Sequence, residues 1–354
     1  MTEIKMGVIG CGYWGPNLVR NYISSPKAKV IAVADKKQDR LQHIKNLFPQ
    51  IEATQDYHDL FSMGLDAVAV ATPPASHFPI AKECLEHGLH TFVEKPMTLS
   101  SRDAETLIDL ANKQGLTLMV GHTFEYNPAV RKVKEIIESG ELGEIYYVNT
   151  DRLNLGLFQP DMNVIWDLAP HDLSILVYIL GMEPVSVSAR GGACIFEGKH
   201  DVAFIFLEFP ENILAHIHVS WLDPCKVRQI TVVGSHKMLV YDDVESLEKI
   251  RIYDRGVERP PYTDTFGDFQ CSYRYGDVVL PYIRFVEPLK IESEEFIECI
   301  LDDRKEPLSC GQDGLRVVRI LEAAQRSLEN DGESQPILNG EVKVRPAYAD
   351  LAQE

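Results

Sequence analysis

The stretch "GVIGCGYWGPN", residues 7–17, decides the fold of the N-terminal part of this chain. It lies between the apolar run of a predicted strand and a predicted helix, and its glycines have the spacing Gly-x-Gly-x-x-Gly. Glycines at such a turn let the backbone approach a pyrophosphate, which the N-terminus of the helix then stabilises. The pattern therefore predicts a dinucleotide-binding site. The loop residues that we expect at the cofactor are Gly10, Gly12, Tyr13, Trp14 and Gly15.

An acidic residue at the end of the next predicted strand supports this prediction. Asp35 follows Gly15 by 20 residues, at a position where a carboxylate accepts hydrogen bonds from a ribose 2′-hydroxyl. A carboxylate repels the 2′-phosphate of NADP, so we expect NAD, although Lys36 and Lys37 leave NADP open. A methyltransferase that binds S-adenosylmethionine can carry a similar loop, so the loop alone does not name the reaction.

The alternation of strands and helices defines the fold class. Up to residue 122, runs of Val, Ile and Ala such as "LDAVAVATPP" indicate strands buried on both faces of a parallel sheet. Beyond it, alternation such as "AHIHVSW" indicates an antiparallel sheet with unlike faces. We therefore predict an α/β Rossmann domain over residues 1–122 and an α+β domain with a large, mostly antiparallel open sheet over residues 123–330. Residues 331–354 are predicted to be a polar tail.

Length, composition and charge exclude several classes of protein. The 354 residues correspond to about two domains at roughly 150 residues each, and 45% apolar with 25% charged residues is typical of globular chains. No apolar window reaches the roughly 18 residues that span a membrane. The net charge of −18 argues against a nucleic-acid partner. Seven scattered cysteines and the lack of a secretory signal favour a cytoplasmic protein with neither disulfides nor a metal.

Two further predicted strands end in residues suited to a ligand crevice. They lead into "ATPPASH", residues 71–77, and "HTFVEKP", residues 90–96. Lys95 follows its strand directly, and Pro96 cannot continue the sheet ladder. Ligands of a doubly wound sheet bind outside the carboxyl ends of the strands. We therefore interpret Lys95 as a site residue, although a lysine after a strand is more commonly a surface residue.

A candidate acid and base pair lies in "IWDLAPHDLSILVYILG", residues 165–181. Because a helix tolerates Pro170 only in its first turn, Asp167 is predicted to be the N-cap, with His171 four residues on projecting near it. A carboxylate beside an imidazole orients the ring and stabilises its protonated form, as a general base near neutral pH requires. From this segment alone, a plain cap with a buried histidine remains the alternative.

These motifs occur in an order that resembles a known family. Gly10-x-Gly12, "ATPPASH", the Glu94-Lys95-Pro96 triplet and Asp167-x-x-x-His171 look like the glucose-fructose oxidoreductase, inositol dehydrogenase and rhizopine catabolism family, Gfo/Idh/MocA. The resemblance extends to about residue 330. It implies that Lys95 contacts the reacting oxygen and that the bond from Lys95 to Pro96 is often cis. The residues implied to line the nicotinamide side are Thr72, Pro73, His77, Glu94, Lys95 and Pro96.

The resemblance implies a reaction and a substrate class. We expect hydride transfer between nicotinamide and a ring hydroxyl or ketone of a sugar, with His171 as the base and Asp167 positioning it or the substrate. "WDLAPHDLS" and "SWLDPCKVRQITVVGS" are similar to the branch that acts on nucleotide-linked sugars such as UDP-N-acetylglucosaminuronate. Glu125 departs from the arginine that relatives often carry around this position. The candidate donors to a carboxylate or diphosphate are Arg152, Asn154, Lys226 and Arg228.

Other functions remain open at this stage. They are an NADPH-dependent ketosugar reductase, a polyol dehydrogenase of the inositol type, and a non-catalytic regulator that senses a dinucleotide. The combination of Lys95, Asp167 and His171 favours an enzyme. The resemblance also implies a homodimer or homotetramer whose interface is the open sheet face. The apolar face of "DVAFIFLEF" fits such an interface, although helices could equally cover it. His216 and His218 on the next strand are interpreted as sheet packing or subunit contacts rather than metal ligands.

Overall fold

The computed structural model describes residues 3–159, 161–258, 271–302 and 305–337. Within them the chain forms strands β1 to β15 and helices α1 to α8. The strands are β1 Ile4–Ile9, β2 Ala28–Ala34, β3 Glu52–Thr54, β4 Ala67–Val70, β5 His90–Glu94, β6 Leu118–Gly121, β7 Ile145–Leu155, β8 Ser186–Gly192, β9 Val202–Glu208, β10 Leu214–Ser220, β11 Leu222–Gly234, β12 Met238–Asp242, β13 Ile250–Glu258, β14 Ser272–Val279 and β15 Gln335–Pro336. The helices are α1 Gly15–Ser24, α2 Gln38–Leu47, α3 His77–Glu86, α4 Ser101–Gln114, α5 Pro128–Glu138, α6 Val164–Leu180, α7 Pro288–Leu301 and α8 Gly311–Glu329.

The chain divides into two compact units. The first comprises Met1–Asn127 and Val286–Glu322, and the second comprises Pro128–Phe285 and Ala323–Glu354. The domain boundaries drawn from the sequence differ from this division, because they assign all of residues 123–330 to the second domain. A segment that is distant in sequence therefore completes the first unit.

Helix α7 and the loop after it join the first unit through specific contacts. The ring of Phe296 on α7 packs edge-on against Tyr22 of α1, with centroids 6.4 Å apart. The amide of Val120 on β6 donates to the carbonyl of Ser309 at 2.9 Å, and the Ser309 hydroxyl donates back to the Val120 carbonyl at 2.7 Å. The returning chain thus covers α1 and extends the edge of the sheet at β6.

The sheet of the first unit is parallel throughout. Its strand order is β3-β2-β1-β4-β5-β6, which is the order of a doubly wound dinucleotide-binding fold. The fold class predicted for the N-terminal part is confirmed. Because the strands are parallel, their carboxyl ends meet at one edge, where the loops carrying Gly10, Asp35, Thr72 and Lys95 begin.

Helix α4 shows how local sequence sets the ends of an element. The Ser100 hydroxyl caps it by accepting a hydrogen bond from the Asp103 amide at 3.2 Å. The helix ends at Gly115, whose φ of +66° is the left-handed conformation that glycine adopts at little cost. Both ends of α4 are thus set by residues next to the helix in sequence.

The second unit contains the mostly antiparallel open sheet that the sequence predicts. Its strand order is β14-β13-β12-β11-β7-β10-β9-β8-β15. Among the described strands of this sheet, β10 and β7 form the one parallel pair, and the other neighbours are antiparallel. On β9 the side chains alternate, so that Ile205 is buried whereas Phe204 and Phe206 are 39% and 55% exposed. One face of this strand therefore packs inside the unit and the other face lies open in the single chain.

No helix in the described ranges of the chain is long and apolar enough to cross a membrane.

Candidate active site

The glycine-rich loop adopts a backbone that only glycine fits. Gly10 follows β1 with a φ of +99°, and a Cβ atom there would lie 2.5 Å from the carbonyl oxygen of Ala71. A Cβ atom on Gly15 would overlap the carbonyl oxygen of Gly10. Helix α1 begins at Gly15, and no side chain of the described residues caps its first amides. Uncapped amides at the N-terminus of a helix are suited to binding a pyrophosphate.

Asp35 is held in place by the backbone at the end of β2. Its Oδ2 accepts a hydrogen bond from the Cys11 amide at 2.7 Å, and its Oδ1 accepts one from the Lys37 amide at 2.8 Å. Arg40 of α2, which the sequence interpretation missed, places Nη1 3.5 Å from Oδ2. A fixed carboxylate beside the glycine loop fits the adenosine ribose of NAD.

His77 connects two of the predicted strand ends. Its Nδ1 lies 2.8 Å from the carbonyl oxygen of Pro96 and its Nε2 lies 2.7 Å from that of Thr72. The side chain is fully buried, and burial lowers the pKa of the imidazole. The Ser76 hydroxyl also donates to the Thr72 hydroxyl at 2.8 Å. His77 therefore fixes the two loops relative to one another, and its expected contact with the nicotinamide remains a prediction.

The Glu94-Lys95-Pro96 triplet forms a fixed turn at the end of β5. The bond between Lys95 and Pro96 is cis, as the family resemblance implies. The Lys95 amide donates to the Glu94 carboxylate at 3.3 Å. Burial raises the pKa of Glu94 to about 7, although the Lys95 ammonium acts in the opposite direction. Lys95 thus lies in the turn directly after β5, between Glu94 and Pro96.

His122 is a polar residue of this edge that the sequence interpretation did not assign. It directly follows β6 and is 1% exposed. Burial lowers the pKa of its imidazole to about 3, and the nearby Lys95 ammonium contributes in the same direction. Its position after a strand of the parallel sheet was the signal that could have identified it.

In the second unit, helix α6 begins earlier than predicted. Asn163 is the N-cap, and its side-chain Oδ1 accepts hydrogen bonds from the amides of Ile165 and Trp166 at 3.1 and 3.3 Å. The prediction that Asp167 caps the helix is wrong, because Asn163 already satisfies these first amides. Pro170 lies inside the helix, where it lacks the N–H of an ordinary helical residue.

Asp167 and His171 both lie near the start of α6, four residues apart and so on the same side of the helix. The Asp167 Oδ2 atom accepts a hydrogen bond from Trp221 Nε1 at 3.0 Å. Trp221 is 1% exposed, and the sequence interpretation missed it. An indole N–H that donates to a carboxylate fixes its orientation, so Trp221 positions Asp167. Asp167 and His171 belong to the second unit, whereas Lys95 belongs to the first.

Among the predicted substrate donors, Arg152 is bound to another side chain. Its guanidinium donates to the Asp172 carboxylate through Nε at 2.6 Å and Nη2 at 3.1 Å, and both side chains are buried. This bidentate pair belongs to the core of the second unit, since β7 and α6 pack there. The role of Arg152 toward a substrate remains a prediction.

The other predicted donors remain closer to the surface. Arg228 Nη1 lies 3.4 Å from Asp243 Oδ2, Lys226 is exposed, and Asn154 is half-buried. Their roles toward a substrate remain predictions.

The histidines on β10 take part in packing on the exposed side of the sheet. His216 Nδ1 lies 2.7 Å from Asn149 Oδ1, and the ring of Phe204 stacks on His218 with centroids 4.3 Å apart. Among the residues that the structure describes, no cluster of three or more His, Cys, Asp or Glu side chains could hold a metal ion.

Two family models match the chain. Residues 4–122 match the model described as the Gfo/Idh/MocA oxidoreductase family with an NAD-binding Rossmann fold, and residues 130–240 match the Gfo/Idh/MocA C-terminal domain. Together they cover parts of both compact units.

Curated proteins and solved structures of similar length also match. The chain is 27% identical to a UDP-N-acetylglucosamine 3-dehydrogenase of Acidithiobacillus ferrooxidans, over 92% of this chain and 96% of that protein. The solved structure of that enzyme superposes with a TM-score of 0.76 at 25% identity, covering 93% of this chain and 99% of the other. A myo-inositol 2-dehydrogenase of Thermotoga maritima is 26% identical over 92% of this chain and 96% of its own length. An oxidoreductase of Agrobacterium radiobacter, solved with NAD+, L-tartaric acid and magnesium, has the same fold, with a TM-score of 0.79 at 22% identity over 95% and 99% of the two chains.

Proposed function

Because the chain belongs to the Gfo/Idh/MocA family of NAD-binding oxidoreductases, we propose that it transfers hydride between NAD and a ring hydroxyl or ketone of a nucleotide-linked sugar. The observation that carries the proposal is the Glu94-Lys95-Pro96 turn, because it sets a lysine at the carboxyl edge of a sheet that also carries the dinucleotide loop. The similarity to a UDP-N-acetylglucosamine 3-dehydrogenase along both units supports the substrate class.

The proposed roles follow from the chemistry of each side chain. Lys95 holds the substrate oxygen and stabilises the negative charge that develops on it during oxidation. His171 accepts the hydroxyl proton, and Asp167, fixed by the Trp221 indole, orients the imidazole or the substrate. NAD, when bound, supplies the hydride acceptor. The fixed Asp35 carboxylate and the uncapped start of α1 hold the adenosine ribose and the pyrophosphate.

The test combines a substrate panel with matched variants. The purified protein is incubated with NAD and UDP-N-acetylglucosaminuronate, UDP-N-acetylglucosamine, dTDP-sugars or myo-inositol. The absorbance of reduced nicotinamide and the mass of the product are recorded. Oxidation at a ring carbon of a nucleotide sugar is the expected result, whereas activity confined to myo-inositol would favour the polyol dehydrogenase alternative. NADP in place of NAD measures the cofactor preference.

Variants then test the assigned roles. Lys95→Ala and His171→Ala are expected to lower turnover by about two or more orders of magnitude while NADH binding is kept. Lys113→Ala and His43→Ala remove exposed side chains of the same types from α4 and α2 and serve as controls. A near-normal rate in Lys95→Ala or His171→Ala would remove that residue from the mechanism. A protein that binds NAD yet moves no hydride with any ligand would favour the dinucleotide-sensing regulator.

A further inference from the structure

Helix α7 brings a second carboxyl group into the first unit behind the Glu94 turn. Glu292 is fully buried, and its Oε2 accepts a hydrogen bond from the Thr123 hydroxyl at 2.8 Å. Its other oxygen, Oε1, has no hydrogen-bond partner among the residues that the structure describes. A buried carboxyl that makes a single hydrogen bond is costly to ionise. Burial, with the field of Glu94 as a second cause, raises the pKa of Glu292 well above its usual range.

The Glu94 carboxyl lies against the backbone of β6. A Cβ atom on Gly121 would lie 3.0 Å from Glu94 Oε2, so the missing side chain leaves the space that the carboxyl occupies. Oε2 accepts from the Lys95 amide, and the indole of Trp14 faces the group and stabilises its ionised form. Within the described part of the chain, Glu94 Oε1 is shielded from solvent without a hydrogen-bond partner. Each of the two carboxyl groups is therefore held on residues around β6 with only part of its hydrogen-bonding capacity satisfied.

Charged and titratable groups face Glu94 from each packed element. Lys95 lies on its own turn, whereas Tyr22 on α1 and Glu292 on α7 lie within its electrostatic field, and Glu295 acts on Glu292. His122, after β6, is within the field of Lys95. The Lys95 ammonium offsets one negative charge in this pocket, and burial disfavours a second one. Glu292 therefore keeps its proton, whereas Glu94 gains or loses its proton near neutral pH.

The position of this pair in the sheet relates it to one half of the cofactor. A doubly wound sheet binds the two mononucleotides on its two halves. Asp35, at the end of β2, belongs to the half that takes the adenosine ribose. Glu94 ends β5 in the other half, which takes the nicotinamide mononucleotide. The oxidised nicotinamide ring carries a positive charge that the reduced ring lacks.

We propose that Glu94 and Glu292 form a proton-linked pair that distinguishes the two redox states of the cofactor: NAD+ favours the state with one proton between them, whereas NADH leaves their proton occupancy unchanged. The proposal rests on NAD binding and does not require the proposed reaction or its substrate. By linkage, a ligand that favours the ionised form binds more tightly as that form becomes populated. The affinity for NAD+ therefore rises with pH through about 7, the pKa of Glu94. The affinity for NADH, whose ring is neutral, does not rise over this range.

Binding measurements on the whole protein test the proposal without any substrate. Calorimetric titration measures the dissociation constant for NAD+ at several pH values between 6 and 8. If NAD+ binding lowers the pKa of Glu94 by about one to two, this constant is expected to fall about 5- to 10-fold as the pH rises from 6 to 8. The NADH constant, measured by fluorescence, is expected to change less than about 2-fold. At pH 7, titrations in two buffers of different ionisation enthalpy are expected to show release of about half a proton per NAD+ and none per NADH.

Three variants locate the effect. Glu94→Gln is expected to abolish both the pH dependence of NAD+ affinity and the proton release. Glu292→Gln is expected to keep both, because an amide replaces a carboxyl that stays protonated. Glu86→Gln removes an exposed carboxylate at the end of α3 and is the charge-matched control. Equal pH dependence for NAD+ and NADH in the wild-type protein overturns the proposal, as does proton release that persists in Glu94→Gln. If Glu94→Gln does not fold, the wild-type proton count decides. Absence of hydride transfer would refute the proposed function and leave these binding results unaffected.

Discussion

Replacing Arg152 by methionine separates a role in the core from a role at the substrate. Arg152 and Asp172 are 5% and 1% exposed and are joined by two hydrogen bonds of 2.6 and 3.1 Å. Arg152→Met keeps most of the volume of the side chain but leaves the Asp172 carboxylate buried without its ion pair. Removing one partner of such a pair costs about 3–5 kcal/mol of unfolding free energy. At about 1.4 kcal/mol per factor of ten, this is roughly a hundred- to several-thousand-fold shift toward the unfolded state.

Urea unfolding followed by tryptophan fluorescence measures this loss. Two of the three tryptophans, Trp166 and Trp221, lie in the second unit, so their signal follows the unit that contains the pair. The double variant Arg152→Met with Asp172→Leu is expected to recover most of the loss, because it removes both buried charges.

An exposed pair in the same unit supplies the control. Lys237 and Glu141 are 2.8 Å apart with side chains 30% and 38% exposed, and Glu141→Gln is expected to cost less than about 1 kcal/mol. The reasoning is refuted if Arg152→Met loses less than about 1 kcal/mol, or if it weakens substrate binding while stability is unchanged. Either result would return Arg152 to the substrate site.

Three further predictions test the cofactor loop, the positioning of Asp167 and the open sheet face. Gly15→Ala is expected to weaken NADH binding by more than about tenfold in a fluorescence titration. Gly88→Ala, which is strained by its φ of +76° but meets no neighbouring atom, is expected to lower stability and leave the affinity unchanged; equal affinities of the two variants would contradict the steric argument. Trp221→Phe keeps an aromatic ring in place but removes the N–H that donates to Asp167. Turnover is expected to fall roughly tenfold while NADH affinity is retained. An unchanged rate would exclude the positioning role of Trp221. Phe206→Asp places a charge on the exposed face of β9. If that face joins two subunits, the molar mass of the assembly measured by light scattering is expected to fall. An unchanged molar mass would place the interface elsewhere.

Local pattern was sufficient for the first unit. The turn from β1 into α1, the acidic end of β2 and the caps of α4 all depend on residues within a few positions of one another. Glycine spacing and strand periodicity carry that information directly, so the parallel Rossmann sheet was predicted correctly. The cap of α6 is also local but was not predicted, because a proline is typical of the first turn of a helix whereas Pro170 lies inside α6, well after its cap Asn163.

By itself, the sequence determined the two fold classes, the dinucleotide loop with Asp35, and the lysine turn at the end of β5. Only the tertiary structure revealed that Glu292 is buried within the electrostatic field of Glu94, that Arg152 is bound to Asp172, and that helix α7 belongs to the first unit. The hydrogen bond from Thr123 to Glu292 joins positions 169 residues apart. Such pairings depend on how the folded elements pack, and no periodicity or spacing along a single chain encodes them.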